Sequence, residues 1–362
     1  MSQKIPVTIV SGFLGAGKTT LINKVLKEKH GEHIAVVINE FGEIGVDHQF
    51  VLDVEEEIYQ MDNGCLCCTL RTDIADMLKS ILMVKEQNGI RVDRVLFETT
   101  GLADPAPIAQ TFINVPFLNE HFILDAVLTV VDAKNFLYQT AHQPEPAKQV
   151  GFADKIFMSK HSLVDETIYA KVINEVRSIN AFAEIQDLDA RPVHMSDMFG
   201  LELFYASEKK ILEMQEHAEE EYCEECGHTH AHGDHDHEHH HHDHDHEHHD
   251  HEHEHHHHHS HSHHSGINSF VIETDKPLVL ANINEWLNEL VYIYGPELYR
   301  YKGILNVEGL DYQIIFQGVQ MSFDISRGRD WKDTKRGSTL VFIGKNLPEN
   351  QLRESFIKCT EK

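Results

Sequence analysis

The sequence predicts an α/β fold with a mostly parallel sheet, followed by a histidine-rich linker and a small α+β domain. Three observations carry that prediction. Short segments that are apolar on both faces alternate with amphipathic ones through residues 1–205. A glycine-rich loop follows the first of them. Finally, 23 of the chain's 31 His fall within 228–264.

The apolar segments at 7–10, 34–38, 94–97, 126–131 and 155–158 read as buried parallel strands, which need no polar face. Between them, 18–29, 71–87 and 166–178 show helical periodicity. A strand–helix alternation of this kind implies a parallel sheet with helices against it. Residues 207–222 read as a helix leading into the histidine tract. The tract mixes His with Asp and Glu and has no aliphatic residue beyond Ala231. Such a segment has no apolar surface to bury, so a disordered linker is expected. After it come a strand at 268–273, a helix at 278–293, strands at 300–307, 311–317 and 339–343, and a last helix. That order suggests a ferredoxin-like α+β domain. The expected boundaries are 1–205, 206–266 and 267–362.

Charge and cysteine usage narrow the function. Lys and Arg number 31 against 59 Asp and Glu, a net charge of −28, which argues against a nucleic-acid partner. No run of about 18 apolar residues is present, so no membrane helix is expected. The N-terminus lacks the apolar core and cleavage site of a signal peptide. Six Cys in 362 residues do not form a disulfide scaffold. A cytoplasmic protein is expected, and the excess of His points to metal handling.

The loop Gly12-Phe13-Leu14-Gly15-Ala16-Gly17-Lys18-Thr19 fits G-x-x-x-x-G-K-[ST] without a mismatch. Glycines let the backbone curl so that its N–H groups face phosphate oxygens, and the helix that follows adds its positive end. Lys18 is expected to reach the β- and γ-phosphates and Thr19 to hold Mg²⁺. Further on, Phe97-Glu98-Thr99-Thr100-Gly101 closes an apolar strand with an acid and a glycine. Nucleotide enzymes of this class sense the γ-phosphate and Mg²⁺ at such a strand end. A nucleoside-triphosphate site therefore includes Gly12, Gly15, Ala16, Gly17, Lys18, Thr19, Glu98 and Gly101.

Cys65, Cys67 and Cys68 place three thiols within four positions. Thiolates this close repel unless a soft or borderline cation neutralises them, and three leave one tetrahedral position for Glu40 or a client side chain. The same residues also suit a cluster of small buried hydrophobes. A second set, Cys223, Cys226, His228 and His230, has ligand types that suit Zn²⁺ at a spacing unlike a standard finger. His121, His194 and Cys359 read as core or surface residues.

Taken in order, Gly12 to Thr20, Asn39-Glu40-Phe41-Gly42, Cys65-Leu66-Cys67-Cys68, Glu98 to Pro105 and Arg300-Tyr301-Lys302-Gly303 resemble CobW-type P-loop GTPases. That family includes zinc-regulated GTPase metalloprotein activators and is related to the nickel-insertion GTPases of urease and hydrogenase. The resemblance spans nearly the whole chain, including a CobW C-terminal domain. It implies hydrolysis of GTP with Mg²⁺, zinc bound at the C-x-C-C motif, and transfer of metal to a client apo-metalloprotein. Zinc, cobalt, nickel and iron all remain open as cargo, and a nucleotide- or metal-dependent homodimer is compatible with it. The resemblance also implies that Asp47 is a switch aspartate reaching toward Mg²⁺ and the attacking water, with Lys18, Asp47 and Glu98 as the catalytic set and Thr20 in the phosphate site.

One motif departs from the family pattern. The guanine-reading Asn-Lys-x-Asp is here Ser159-Lys160-His161-Ser162. A neutral hydroxyl at 162 accepts one weaker bond where a carboxylate accepts two charge-assisted ones, so weaker discrimination between GTP and ATP is expected. Lys160 still suits packing on the base. Near 179–181 the chain keeps Asn180 but not the family's usual proline.

Two other functions compete with a metal chaperone. The protein could be a metal store regulated by nucleotide, or a small-molecule kinase. Neither the cysteine cluster nor the histidine tract helps a kinase transfer phosphate. Metal transfer to an apo-client separates the chaperone from the store.

Overall fold

The computed structural model describes residues 4–28, 31–38, 58–60, 70–88, 91–205, 266–332 and 334–361. Outside these lie Glu40, Asp47, Cys65, Cys67, Cys68, Cys223, Cys226, His228 and His230, together with the expected helix at 207–222 and the histidine tract.

The first unit is a seven-stranded sheet. Its strands are β1 (Ile5–Gly12), β2 (Ile34–Ile38), β3 (Ile58–Gln60), β4 (Arg94–Glu98), β5 (Phe122–Asp132), β6 (Lys155–Ser159) and β7 (Glu184–Asp187), in the order β3-β2-β4-β1-β5-β6-β7. Every adjacent pair is parallel. The central strands are apolar on both faces because both faces are covered; Val7, Ile9, Val10, Val36, Val95 and Val127 are fully buried. The covering helices are α1 (Lys18–Leu26), α2 (Leu70–Asn88), α3 (Ala106–Asn114), α4 (Pro116–His121), α5 (Phe136–His142), α6 (Glu145–Phe152), α7 (Glu166–Ile179) and the short α8 (Met195–Met198). Helix α1 buries Leu21, Ile22, Val25 and Leu26, one stripe at helical spacing.

All five expected strands are present, and the sheet gains two edge strands, β3 and β7. β7 has the polar sequence Glu-Ile-Gln-Asp, which carries no apolar run to mark it. Helices α3, α4 and α6 are also additions. Each has proline in its first turn, where the missing N–H costs nothing.

The second unit runs β8 (Ile267–Thr274), α9 (Leu280–Tyr294), β9 (Leu298–Leu305), β10 (Tyr312–Val319), β11 (Ser322–Asp330), β12 (Ser338–Lys345) and α10 (Glu349–Lys358). Its sheet order is β11-β10-β9-β12-β8, with all neighbours antiparallel. β8 and β9 therefore run parallel with β12 between them, the split β-α-β arrangement of ferredoxin-like units. β11 was not expected from sequence. Most of its residues are exposed on an edge, so its sequence shows no buried alternation. The stripe Ile283, Trp286, Leu287, Leu290 and Val291 seats α9 on the sheet beside Leu352 and Phe356 of α10.

Helices α3, α6 and α7 of the first unit lie against the second sheet. Ile267, Tyr299, Val319 and Ile343 join the apolar core of the first unit, so one core crosses the boundary. At this boundary lies a buried ion group. The Asp154 carboxylate accepts from Arg300 Nη2 at 2.8 Å, Lys302 Nζ at 3.1 Å and Val127 N at 2.9 Å. Arg300 and Lys302 also donate to the carbonyls of Phe204 and Leu203. The Arg300 guanidinium lies 4.1 Å from the Phe204 ring. Strand alternation explains the placement: Arg300 and Lys302 face the first unit, while Tyr301 between them enters the second core beside Phe316. Burial works against the Asp154 charge, but the two cations and the Val127 N–H outweigh it and hold the carboxyl below its ordinary range.

Among the described residues no helix is long and apolar enough to cross a membrane.

Candidate nucleotide site

β1 delivers the chain into the loop 12–17, and α1 begins at Lys18. Gly12 lies beside β5 at φ 139°; a Cβ there would sit 2.4 Å from the Val130 carbonyl oxygen, so only glycine fits. Gly15 and Gly17 take φ of 72° and 103°, and Gly17 forms the N-cap of α1 in the left-handed region. The result is a backbone cradle at a helix N-terminus, an arrangement suited to phosphate. Lys18 is buried, and its Nζ donates to Gly12 O at 2.7 Å and Phe13 O at 3.3 Å. That holds the ammonium over the loop. Thr20 is exposed in the first turn of α1.

β4 pairs with β1 so that Val10 stands opposite Glu98. This register brings the acid to the loop. Thr19 Oγ1 donates to Glu98 Oε1 at 2.7 Å, although the residues are 79 positions apart. A hydroxyl that donates to a carboxylate keeps its lone pairs for a cation. The donor set is all oxygen, as hard Mg²⁺ prefers, so Thr19 and Glu98 fit that ion.

The segment after β4 folds back onto the glycine loop. A Cβ on Gly101 would stand 2.6 Å from Leu14 N and 2.7 Å from Leu14 Cα. Gln149 of α6 fixes the same segment from behind, donating to Gly101 O at 3.0 Å and Ala103 O at 3.1 Å. Gln149 is a residue that sequence reasoning missed; nothing in Pro-Ala-Lys-Gln-Val marks it, because its role depends on a partner 48 positions earlier.

On the other side of the loop, Ser159 Oγ donates to Ala16 O at 2.7 Å and Val131 O at 3.1 Å. Ser159 thus braces the phosphate loop with its hydroxyl. Lys160 takes φ 61° and its Nζ reaches Gly15 O at 2.7 Å and Asp132 Oδ2 at 2.6 Å. Asp132 is buried at the end of β5 and accepts as well from Lys134 N and from the backbone and side chain of Asn135. Ser162 is exposed, and its N–H donates to Asp189 Oδ2 at 2.8 Å. Asn180 is structural: its amide donates to Val150 O and Ala153 O and accepts from Phe182 N and Ala183 N.

The structure thus gathers Gly12, Gly15, Ala16, Gly17, Lys18, Thr19, Glu98, Gly101, Ser159 and Lys160 around one loop at the C-terminal ends of β1, β4, β5 and β6, while Ser162 follows in the next turn and bonds to Asp189. Glu40, Asp47, Cys65, Cys67 and Cys68 lie outside the described residues. Among those described, no group of three or more His, Cys, Asp or Glu is placed to hold a metal ion. Cys359 is a buried thiol, pushed up to about 11 by burial and then by the charge of Glu289. His121 and His194 bond to Phe117 O and Glu28, as non-ligand residues do.

Comparison with known proteins agrees with this geometry. Residues 6–187 match the model of the CobW/HypB/UreG nucleotide-binding domain, and 267–360 match that of the cobalamin synthesis protein cobW C-terminal domain. The chain is 32% identical to the zinc chaperone YjiA of Escherichia coli, over 97% of this chain and 98% of that one. It is 28% identical to a zinc chaperone CobW of Sinorhizobium, covering 94% and 93% of the two chains. It also resembles the zinc-regulated GTPase metalloprotein activator 1 of Schizosaccharomyces pombe, at 35% identity over 50% of this chain and 45% of that one. The crystal structure of zinc-bound YjiA GTPase from E. coli superposes with a TM-score of 0.73 at 29% identity, covering 99% of both chains. A phosphate cradle on a parallel sheet, an acid met by the loop threonine, and two matched domains in series place this chain in the CobW/HypB/UreG family of nucleotide-binding proteins.

Proposed function

We propose that this chain is a GTP-hydrolysing zinc chaperone that hands its metal to a client apo-metalloprotein in the cytoplasm. The observation that carries the nucleotide part of the reading is the 2.7 Å bond between Thr19 and Glu98, which joins the phosphate loop to the strand that leads into the 99–105 segment. The named relatives support the zinc and GTP parts of it.

In this reading Gly12, Gly15, Ala16, Gly17 and Thr20 surround the phosphates, and Lys18 neutralises the β- and γ-oxygens. Thr19 and Asp47 would hold Mg²⁺, with Glu98 beside them, and the ion would supply charge neutralisation at the phosphates. Glu98 orients the Thr19 hydroxyl. Cys65, Cys67 and Cys68, with Glu40, hold zinc as cargo; Cys223, Cys226, His228 and His230 and the histidine tract hold it more weakly. Slow turnover without a partner is expected, because no arginine finger is marked in the sequence. The working division is a GTPase domain at 1–205, a metal-binding linker at 206–266 and a C-terminal domain at 267–362.

The fold supplies a route from nucleotide to the second unit. The 99–105 segment packs on Leu14 and runs directly into α3. Midway along α3 Gln110 donates to Gln320 Oε1 at 2.8 Å, and at its C-terminal end Asn114 donates to Ser322 Oγ at 2.7 Å. A shift of the segment on hydrolysis therefore displaces a helix seated on the β10–β11 turn.

The test is zinc transfer. Zinc-loaded protein is mixed with an apo-enzyme whose activity reports zinc, with GTP or without. Faster transfer with GTP, lost in Lys18→Ala, is expected. Release at one rate in all conditions would favour the storage reading.

A further inference from the structure

Guanine is told from adenine by its N1–H and N2–H₂ donors, which a carboxylate accepts together. Position 162, where the family motif has that carboxylate, is a serine. The structure brings another carboxylate to the same place. β7 ends at Asp187, and the loop that follows turns back toward the β6–α7 loop. Asp189 Oδ2 lies 2.8 Å from Ser162 N, so its carboxylate stands within one short side chain of where an acid at 162 would be. Asp189 is exposed, and among the described residues the Ser162 N–H is the one hydrogen-bond donor on its carboxylate.

The neighbouring Asp187 is not available for a ligand. Its Oδ1 accepts from Asp189 N at 2.8 Å and Ala190 N at 3.3 Å, and its Oδ2 meets His161 Nδ1 at 2.5 Å. Tyr169 also bonds to it, with its ring stacked on His161 at 3.6 Å. Asp187 therefore builds the turn that presents Asp189, and it ties that turn to His161, the residue between Lys160 and Ser162.

We propose that Asp189 supplies the guanine-reading carboxylate that position 162 lacks, so that the base is held between Lys160 and Asp189. The proposal rests on GTP as the substrate. It replaces the expectation drawn from Ser162 alone: selectivity for GTP over ATP is kept, with its acid moved to the next loop.

The experiment titrates the full-length protein, with Mg²⁺, with GDP, XDP and ADP, which present three bases without hydrolysis. XDP has a carbonyl where guanine has its 2-amino group. An asparagine accepts from N1–H through its oxygen and donates its NH₂ to that carbonyl. Asp189→Asn is expected to weaken GDP roughly 10- to 100-fold, the size of a charged hydrogen-bond pair, to make XDP the tighter ligand, and to leave ADP unchanged. A loss of folding would weaken all three alike. Ser162→Asp is the control, since a new acid beside the base alters the GDP/XDP ratio if the base lies here. An unchanged ratio in Asp189→Asn with a changed one in Ser162→Asp would overturn the role of Asp189 while keeping the pocket. Unchanged ratios in both would overturn the pocket, and the proposal with it.

Discussion

Replacing Asp154 by alanine removes the counter-charge of two buried cations at once. The side chains of Asp154, Arg300 and Lys302 are 5%, 5% and 8% exposed, so water does not compensate the loss. Breaking a buried pair by removing one partner costs about 3–5 kcal/mol. The Phe204 and Leu203 carbonyls stay on the cations, which sets the expectation toward the lower end. At about 2–4 °C per kcal/mol for a chain of a few hundred residues, the melting midpoint should fall by roughly 6–20 °C. The assay can resolve where the damage falls. The chain's two Trp, Trp286 and Trp331, are both in the second unit, so their fluorescence reports that unit alone, whereas far-ultraviolet circular dichroism reports both. In the parent the two urea transitions should coincide; in Asp154→Ala the Trp transition should separate from the dichroism one, because the ion group joins the units. The pH dependence has a definite sign. The folded carboxyl is held below its unfolded value of about 3.9, so its contribution is present above that pH and is lost as pH falls through the lower folded value. Asp154→Ala should lack that acid limb. A variant within about 0.5 kcal/mol of the parent, the range of ordinary surface changes, would refute the reasoning.

Three further outcomes are expected. Gly101→Ala places a methyl against the Leu14 backbone, so it should lower GTP affinity and turnover together; unchanged nucleotide titrations would show that the 99–105 segment does not bear on the loop. Burial works against charging His161, but the Asp187 bond and charge, and then Glu166, outweigh it and raise its pKa. Its contribution to stability is thus fully present below the unfolded value of about 6.5 and is lost as pH rises through the higher folded value, so the melting midpoint should decline over that rise in the parent and be flatter in His161→Gln. Deleting 228–264 should lower the number of zinc ions bound yet leave GTP hydrolysis intact, because both matched domains lie outside it; an unchanged ion count by mass spectrometry would contradict the tract's role.

What could be read from sequence is what local chemistry imposes. The glycine loop is contiguous, and its glycines, Lys18 and Thr19 have backbone or charge reasons to be there, so the turn between β1 and α1 was legible. The buried strands were legible because both faces are apolar. β7 and β11 were not, since edge strands with polar sides carry no such pattern. The interactions that join distant segments were also hidden. Gln149 with the Gly101 carbonyl, Asp154 with Arg300 and Ser162 N–H with Asp189 are pairs of ordinary groups whose meeting depends on strand order and register. Ser162 illustrates the difference: judged along the chain it is a lost carboxylate, and judged in space it stands beside another one.

A GTP-driven zinc chaperone of the kind proposed requires that nucleotide state govern zinc affinity at Cys65, Cys67 and Cys68. The most direct measurement titrates the full-length protein with zinc, with and without a non-hydrolysable GTP analogue, and then with the analogue, with and without zinc. The account predicts that the analogue changes zinc affinity at the tightest site, that zinc changes analogue affinity by the same factor, as linkage requires, and that Cys67→Ser removes both effects. Zinc isotherms that coincide with and without the analogue would contradict it.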